Sequence, residues 1–317
     1  MSLIGQGLAD AGVAVQLFAP AAAVRRLGTV GDRRPVPSVD FDTQTDVSRF
    51  GSSVEALTSW IGRLPDLGRH IVVSDNLPEV LAKYPDAIIS GSFFWHETVA
   101  AVSDEYKSLC RDLLVRHQPT IVSSDLLTPP HLRAQRHLIT VGLYGARRSQ
   151  DFPKSSLLIS AGWTSVADAP LASVVASLGM AGPPKGYREV LVEPRLMPSD
   201  APPWMKPADF SPRMYDRTLA AIVRPGTGTI TECLASGTWI IATSEQGNDE
   251  MEFNAEMLLA NGLGARAAHP SEAIDLARRF ARDSAARTAH RAALDALDWT
   301  GVQDACNILM TATGAGG

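Results

Sequence analysis

Ala220-Ala-Ile-Val-Arg-Pro-Gly-Thr-Gly-Thr-Ile-Thr-Glu-Cys-Leu-Ala-Ser-Gly237 reads as a buried strand, a glycine-containing turn and then a helix. Gly226 and Gly228 let the backbone turn sharply and approach a ligand closely. A helix opening near Thr229 aims free N–H groups and the positive end of its dipole at that turn, an anion site suited to a diphosphate. Glu232 follows about one turn into the helix, where a carboxylate can accept hydrogen bonds from a pair of ribose hydroxyls. The stretch has neither the lysine of a Walker loop nor the spaced glycines of a dinucleotide fingerprint. On its glycines alone, a plain strand-to-helix turn is the simpler reading.

On either side of this motif, short apolar strands alternate with helical segments, which points to an α/β architecture with parallel sheets. Strand candidates in the first half are Val13–Phe18, Ile71–Ser74, Ala87–Ser90, Thr120–Ser123 and Leu138–Leu143, Val/Ile-rich as buried parallel strands should be. A helix over Thr98–His117 carries Val102, Tyr106, Leu109 and Leu113 at helical spacing. The polar, Pro153-containing stretch Arg147–Ser155 reads as an interdomain linker. A second series follows with Leu157–Ser160, Glu189–Glu193, Ala220–Arg224 and Trp239–Thr243, then helices at Ser271–Arg282 and near Thr300–Met310. Two Rossmann-like domains are expected, residues 1–150 and 151–317, the last helix packing back on the first.

Composition narrows the partners. The chain has 317 residues, 45% hydrophobic and 20% charged, the balance of a globular protein with ample core for two domains. Net charge is −5 and the basic residues are scattered, so no positive stripe follows a nucleic acid backbone. Cys110, Cys233 and Cys306 are odd in number and far apart, which fits neither a disulfide framework nor a metal site and suits a reducing cytoplasm. No apolar run approaches the roughly 20 residues that span a bilayer.

The motifs after the turn raise its specificity. Ala235-Ser-Gly237, the strand Trp239–Thr243, Glu250-Met-Glu-Phe-Asn-Ala255 and Asn261-Gly-Leu-Gly264 follow in that order. This succession resembles the C-terminal donor-binding half of GT-B glycosyltransferases, especially the MurG-like and UDP-glycosyltransferase-like branch. Ser156-Leu-Leu-Ile-Ser-Ala-Gly162 resembles the first strand and loop of that half, and Phe210-Ser-Pro-Arg-Met-Tyr215 the segment near which the family binds the nucleobase. The resemblance covers roughly residues 155–265 well and the first half in outline. It implies the GT-B fold, two Rossmann-like domains facing a cleft. It implies diphosphate binding by Gly226, Thr227, Gly228 and Thr229, ribose binding by Glu232, and a donor-side place for Gly162. Glu250 and Asn254 fall on the sugar-facing helix, Glu250 toward sugar hydroxyls and Asn254 either there or in a helix-stabilising role.

Two departures stand out. The family's Gln beside the acidic residue is Met251 here, and a thioether cannot bind sugar hydroxyls as an amide does. At the start, the helix Met1–Gly12 runs straight into the strand Val13–Phe18, where a Rossmann-like half opens with a central strand and a Gly-rich turn. That strand and the acceptor loop are expected to be missing, so the chain should bind nucleotide but transfer sugar slowly or not at all. The base that takes the acceptor proton then comes from another strand end. Asp75 and His96 are the candidates; the plainer role of Asp75 is to cap the following helix, and that of His96 is to be a hydrogen-bonded loop residue. Phe93, Phe94 and Trp95 could offer an acceptor platform, core packing being the plainer role for two of them.

The expected activity is transfer from a UDP-linked sugar to a hydroxyl acceptor, with inversion, without metal and without a cofactor beyond the donor. The rivals are a nucleotide-sugar hydrolase or epimerase on the same fold, and a catalytically silent nucleotide-sugar-binding partner protein.

Overall fold

The apolar runs become parallel strands in separate sheets, each within its own unit of the chain. The computed structural model describes residues 2–19, 37–40, 54–68, 70–99, 102–148, 153–162, 167–245 and 247–312. The first unit comprises Met1–Tyr144, Gly247–Asp249 and Trp299–Gly317, the second Gly145–Gln246 and Glu250–Asp298. The chain thus changes unit just before the polar stretch that reads as a linker, of which residues 149–152 lie outside the described set.

The first unit contains α1 (Ser2–Asp10), β1 (Leu17–Ala19), β2 (Ser38–Asp40), α2 (Val54–Arg63), β3 (Val73–Asp75), β4 (Ile88–Ser90), α3 (Trp95–Thr98), α4 (Asp104–His117), β5 (Ile121–Ser124), α5 (Pro130–Arg133) and β6 (Leu138–Val141). β1 pairs with β2, and a second sheet runs β3-β4-β5-β6, every pairing parallel. Side-chain alternation along the strands sorts the core. Ile89 and Ile121 pack with Leu57 and Trp60 of α2 and with Tyr106 and Leu113 of α4, whereas Ile88 and Val122 pack with Ile4 of α1.

A doubly wound sheet has the order 3-2-1-4-5-6. Among the described residues β1 and β2 pair with each other and β3 is an edge of its own four-stranded sheet. The single helix expected over Thr98–His117 is divided instead. α3 ends at Thr98, and Ser103 caps α4, its Oγ accepting the Tyr106 N–H at 3.2 Å. Ser-Asp-Glu at 103–105 is an ordinary helix start, so the break was readable.

The second unit contains β7 (Ser156–Ser160), α6 (Asp168–Ala181), β8 (Glu189–Val192), β9 (Met205–Pro207), α7 (Pro212–Arg217), β10 (Thr218–Val223), α8 (Thr227–Ser236), β11 (Trp239–Thr243), α9 (Asp249–Ala260, from Glu250 on), β12 (Gly264–Ala267), α10 (Pro270–Arg282) and α11 (Ser284–Asp295). Its sheet is wholly parallel, in the order β9-β8-β7-β10-β11-β12. Counted within the unit this is 3-2-1-4-5-6, so the strand order reverses between β7 and β10, where Val223 registers with Ser160. Ligands of open α/β sheets bind outside the carboxyl ends of the strands at that point. Leu157 and Ile159 pack against Leu171 and Leu178 of α6 and Ile274 and Phe280 of α10, while Leu158, Ala221 and Ile240 are equally buried on the opposite face.

β9 and β12 have little signal in the sequence. β9 ends in Pro207 at a sheet edge, where a missing N–H is tolerated. β12, Gly-Ala-Arg-Ala, lacks β-branched residues and is a strand because β11 offers it a ladder. The segment near Thr300–Met310, expected to pack back on the first half, is α12 (Gly301–Ala312) and belongs to the first unit. Its Ala305, Cys306 and Leu309 join Ile4 and Val141 in one cluster.

Candidate functional site

The turn after β10 lies at the reversal of strand order. Arg224 N–H donates to Ser160 O at 3.2 Å, which ties the two strand ends together. α8 opens at Thr227, not near Thr229, with Gly226 as its N-cap and no side-chain cap. Gly226 has φ −71° and ψ 146°, a conformation any residue adopts, so the sharp-turn role expected of these glycines is not what they do. A Cβ at Gly228 would meet nothing within 4 Å. The glycines therefore leave open space over the helix N-terminus, the part of the expectation that concerns close approach.

Arg224 was not among the sequence candidates, yet it is the charged group at the turn. Its Nε and Nη2 donate to the two carboxylate oxygens of Glu245, with only 13% and 10% of the two side chains exposed. The remaining Nη1 lies 3.8 Å from where a Gly226 Cβ would be, over the turn itself. Glu250 is 6% exposed and receives the Thr227 hydroxyl at 3.5 Å. Burial pushes its carboxyl up to about 8, with Glu245 adding to the rise and Arg224 opposing it. At neutral pH it is mostly a neutral acid, able to donate as well as accept. Asn254 is buried and its Nδ2 donates to Pro225 O at 2.9 Å, so it fixes the turn from below. This is the helix-stabilising alternative, in a more specific form. Met251 is also buried, so the thioether packs in the interior.

Glu232 sits on α8 with its Oε2 accepting from Arg148 Nη1 at 3.0 Å. The segment Phe210–Tyr215 leads into α7, and Phe210 has φ +53°. A bulky residue held in the left-handed region is strained, and such strain collects at ligand sites. Asp209 holds the conformation by accepting from Ser211 N–H at 2.9 Å and Oγ at 2.8 Å.

Gly162, at φ +73°, follows β7 on the other side of the reversal. Its N–H is already engaged by Glu193 Oε2 at 3.2 Å, which also accepts from Ala161 N–H at 2.8 Å and Ser160 Oγ at 2.9 Å. A carboxylate of the chain itself thus fills this amide nest, and residues 163–166 lie outside the described set.

The two candidate bases lie in the first unit and differ in access. Asp75 is exposed at the carboxyl end of β3. His96 is 2% exposed, stacked on Phe94 and edge-on to Tyr106, and burial pushes its imidazole down to about 4. Burial at this depth gives it no exposed face toward an acceptor. Of the aromatic run, Phe93 and Phe94 are buried and Trp95 packs half-buried on the core, so core packing accounts for two of the three.

Glu79 is fully buried, with the Tyr106 hydroxyl 3.5 Å from both carboxylate oxygens, and burial pushes its carboxyl up to about 7. Together with Glu250, this acid holds a proton that the unfolded chain releases above 4.5. Their stabilisation is complete below 4.5 and is lost as pH rises toward 7 and 8. His96 and His290, both pushed down to about 4 by burial, act oppositely: their contribution is complete above 6.5 and lost as pH falls toward 4. The thermal midpoint should therefore be highest between about 4.5 and 6.5, and above that each acid should cost about 1.4 kcal/mol per pH unit until it titrates. Glu79→Gln should make this limb shallower up to about pH 7, leaving the part due to Glu250. A midpoint that climbs from pH 6.5 to 8 would contradict the assignment.

Two α/β units with parallel sheets, the second with its glycine turn at the strand-order reversal, make this the GT-B fold. Solved structures agree. The chain is similar to the glycotransferase of kitacinnamycin, with a TM-score of 0.66 and 14% identity over 98% of this chain and 94% of that one. It is similar to the glycosyltransferase SsfS6 of Streptomyces sp. SF2575, complexed with thymidine diphosphate, with a TM-score of 0.62 and 16% identity over 97% and 94%. It is similar to LpCGTa in complex with UDP, with a TM-score of 0.61 and 14% identity over 96% and 94%. No protein-family model matches the sequence, and no curated protein matches it significantly. At these identities the likeness establishes the fold. Among the described residues no helix is long and apolar enough to cross a membrane.

Proposed function

We propose that the protein is a glycosyltransferase of the UDP-glycosyltransferase-like branch, active in the cytoplasm, that moves a sugar from a UDP-linked donor to a hydroxyl acceptor. The observation that carries this reading is the turn at the strand-order reversal. There the uncapped N-terminus of α8, the Nη1 of Arg224 and the open space above Gly228 converge where a diphosphate would lie. Nucleoside diphosphates bound to SsfS6 and LpCGTa support it. The acceptor oxygen bonds to the anomeric carbon as the bond from that carbon to the β-phosphate oxygen breaks, with inversion, and a base takes the hydroxyl proton. Of the two base candidates, Asp75 is the one open to solvent and is assigned that role. Negative charge grows on the departing diphosphate, and the helix dipole with Arg224 stabilises it, which supports transfer without metal. Product analysis with UDP-sugars separates glycosylated acceptor from free sugar and from binding without turnover.

The ribose assignment has its own test. Glu232→Ala should weaken UDP binding by about 1.5–3 kcal/mol, the worth of hydrogen bonds to a charged group. Calorimetry that returns an unchanged affinity for the folded variant would refute the assignment.

A further inference from the structure

Arg148 bonds to more of the candidate nucleoside site than any residue picked from the sequence. Its Nε donates to Asp216 Oδ1 at 3.1 Å, at the end of α7. Its Nη1 donates to Glu232 Oε2 at 3.0 Å and its Nη2 to Glu232 O at 3.1 Å, both on α8. The guanidinium lies 5.7 Å from the centre of the Tyr215 ring, within cation–π range. The main chain is anchored too, since Arg148 N–H donates to Ala235 O at 2.8 Å, one of the carbonyls left over at the end of α8. One side chain therefore joins the helix that follows Phe210 to the helix that carries Glu232. Because Arg148 reaches only Oε2, the other oxygen of Glu232 has no protein partner among the described residues, and the side chain remains 28% exposed.

We propose that Arg148 is a positioning residue of the nucleoside subsite: it holds Glu232 by one carboxylate oxygen so that the other meets the ribose hydroxyls. The inference rests on the ribose reading of Glu232. A free glutamate samples several rotamers and must be ordered when ligand binds, and ordering such a side chain opposes binding. Bonded to Arg148 at the carboxylate and through the backbone carbonyl of the same residue, Glu232 is ordered beforehand. A planar guanidinium can serve Asp216, a carboxylate and a carbonyl at once, whereas a lysine ammonium cannot span them in one plane.

The test is calorimetry with UDP and with inorganic pyrophosphate on the whole chain, comparing the native protein with Arg148→Met, Arg148→Lys, Glu232→Ala and the Arg148→Met/Glu232→Ala double variant. Arg148→Met should weaken UDP binding about tenfold, as expected for one charge-assisted contact. Pyrophosphate binding should not change, because it needs only the turn. The Arg148→Met loss should vanish in the Glu232→Ala background, since a residue acting through another is non-additive with it. Arg148→Lys should recover part of the affinity, and it keeps the test alive if Arg148→Met does not fold. The proposal is overturned if UDP affinity is unchanged in Arg148→Met, or if the loss recurs in full without Glu232. It is also overturned if pyrophosphate binding falls in parallel, which would mark Arg148 as a helix cap alone. If Glu232→Ala itself leaves UDP binding intact, the ribose reading fails first and this inference goes with it.

Discussion

Arg224→Met is expected to lower stability by about 3–5 kcal/mol and nucleotide affinity by roughly two orders of magnitude. The stability loss comes from what remains. Glu245, 10% exposed, would lose the guanidinium that pairs with both its carboxylate oxygens, and the buried carboxyl of Glu250 beside it offers no positive charge in exchange. The affinity loss comes from Nη1, the donor that lies over the turn. Denaturant unfolding and UDP calorimetry measure the two separately. The double variant Arg224→Met/Glu245→Leu removes both charges, so it should regain much of the stability while UDP affinity stays low. An Arg224→Met protein with native stability and native UDP affinity would remove Arg224 from the site. Recovery of both properties in the double variant would show that the arginine serves only to neutralise Glu245.

Gly301→Ala should be almost as damaging, for a purely steric reason. A Cβ at Gly301, the first residue of α12, would lie 2.0 Å from Gly142 O and 2.7 Å from Leu143 O. Backbone atoms cannot rotate aside as a side chain can, so α12 must shift off β6 or leave its place. The cost should reach the upper end of overpacking in a core, about 3 kcal/mol or more. Unfolding should show the first unit destabilised, since α12 completes the cluster of Ile4, Val122 and Val141. UDP binding by the folded fraction should persist, because the turn and Glu232 lie in the second unit. Native unfolding behaviour in Gly301→Ala would mean that α12 does not pack so closely.

The sequence by itself determined the alternation of apolar strands and amphipathic helices, and with it the parallel pairing of the sheets in both units. Short apolar runs such as Leu157–Ser160 and Trp239–Thr243 read as buried strands, and they are strands; the glycine turn after Ala220–Arg224 lies, as read, between a strand and a helix. Caps and turns were readable as well, though the Ser103 cap was passed over within a longer helical pattern. Tertiary structure alone decided whatever depends on partners distant in the chain. β9 and β12 carry weak local preference and are strands because a neighbour supplies hydrogen bonds. Gly226 and Gly228 proved to be about space and not about backbone angle, a difference visible only once φ is known. His96 reads as a base because it follows the carboxyl end of the strand Ala87–Ser90 and an imidazole titrates near neutral pH, yet the packing of Phe94 and Tyr106 around it takes it out of solvent. Arg148 and Arg224 resemble many scattered arginines until the fold brings Glu232, 84 residues on, and Glu245, 21 residues on, to their guanidinium groups. Local sequence sets secondary structure through short-range sterics and periodicity, whereas a charged side chain takes its role from the partners that folding delivers across the chain.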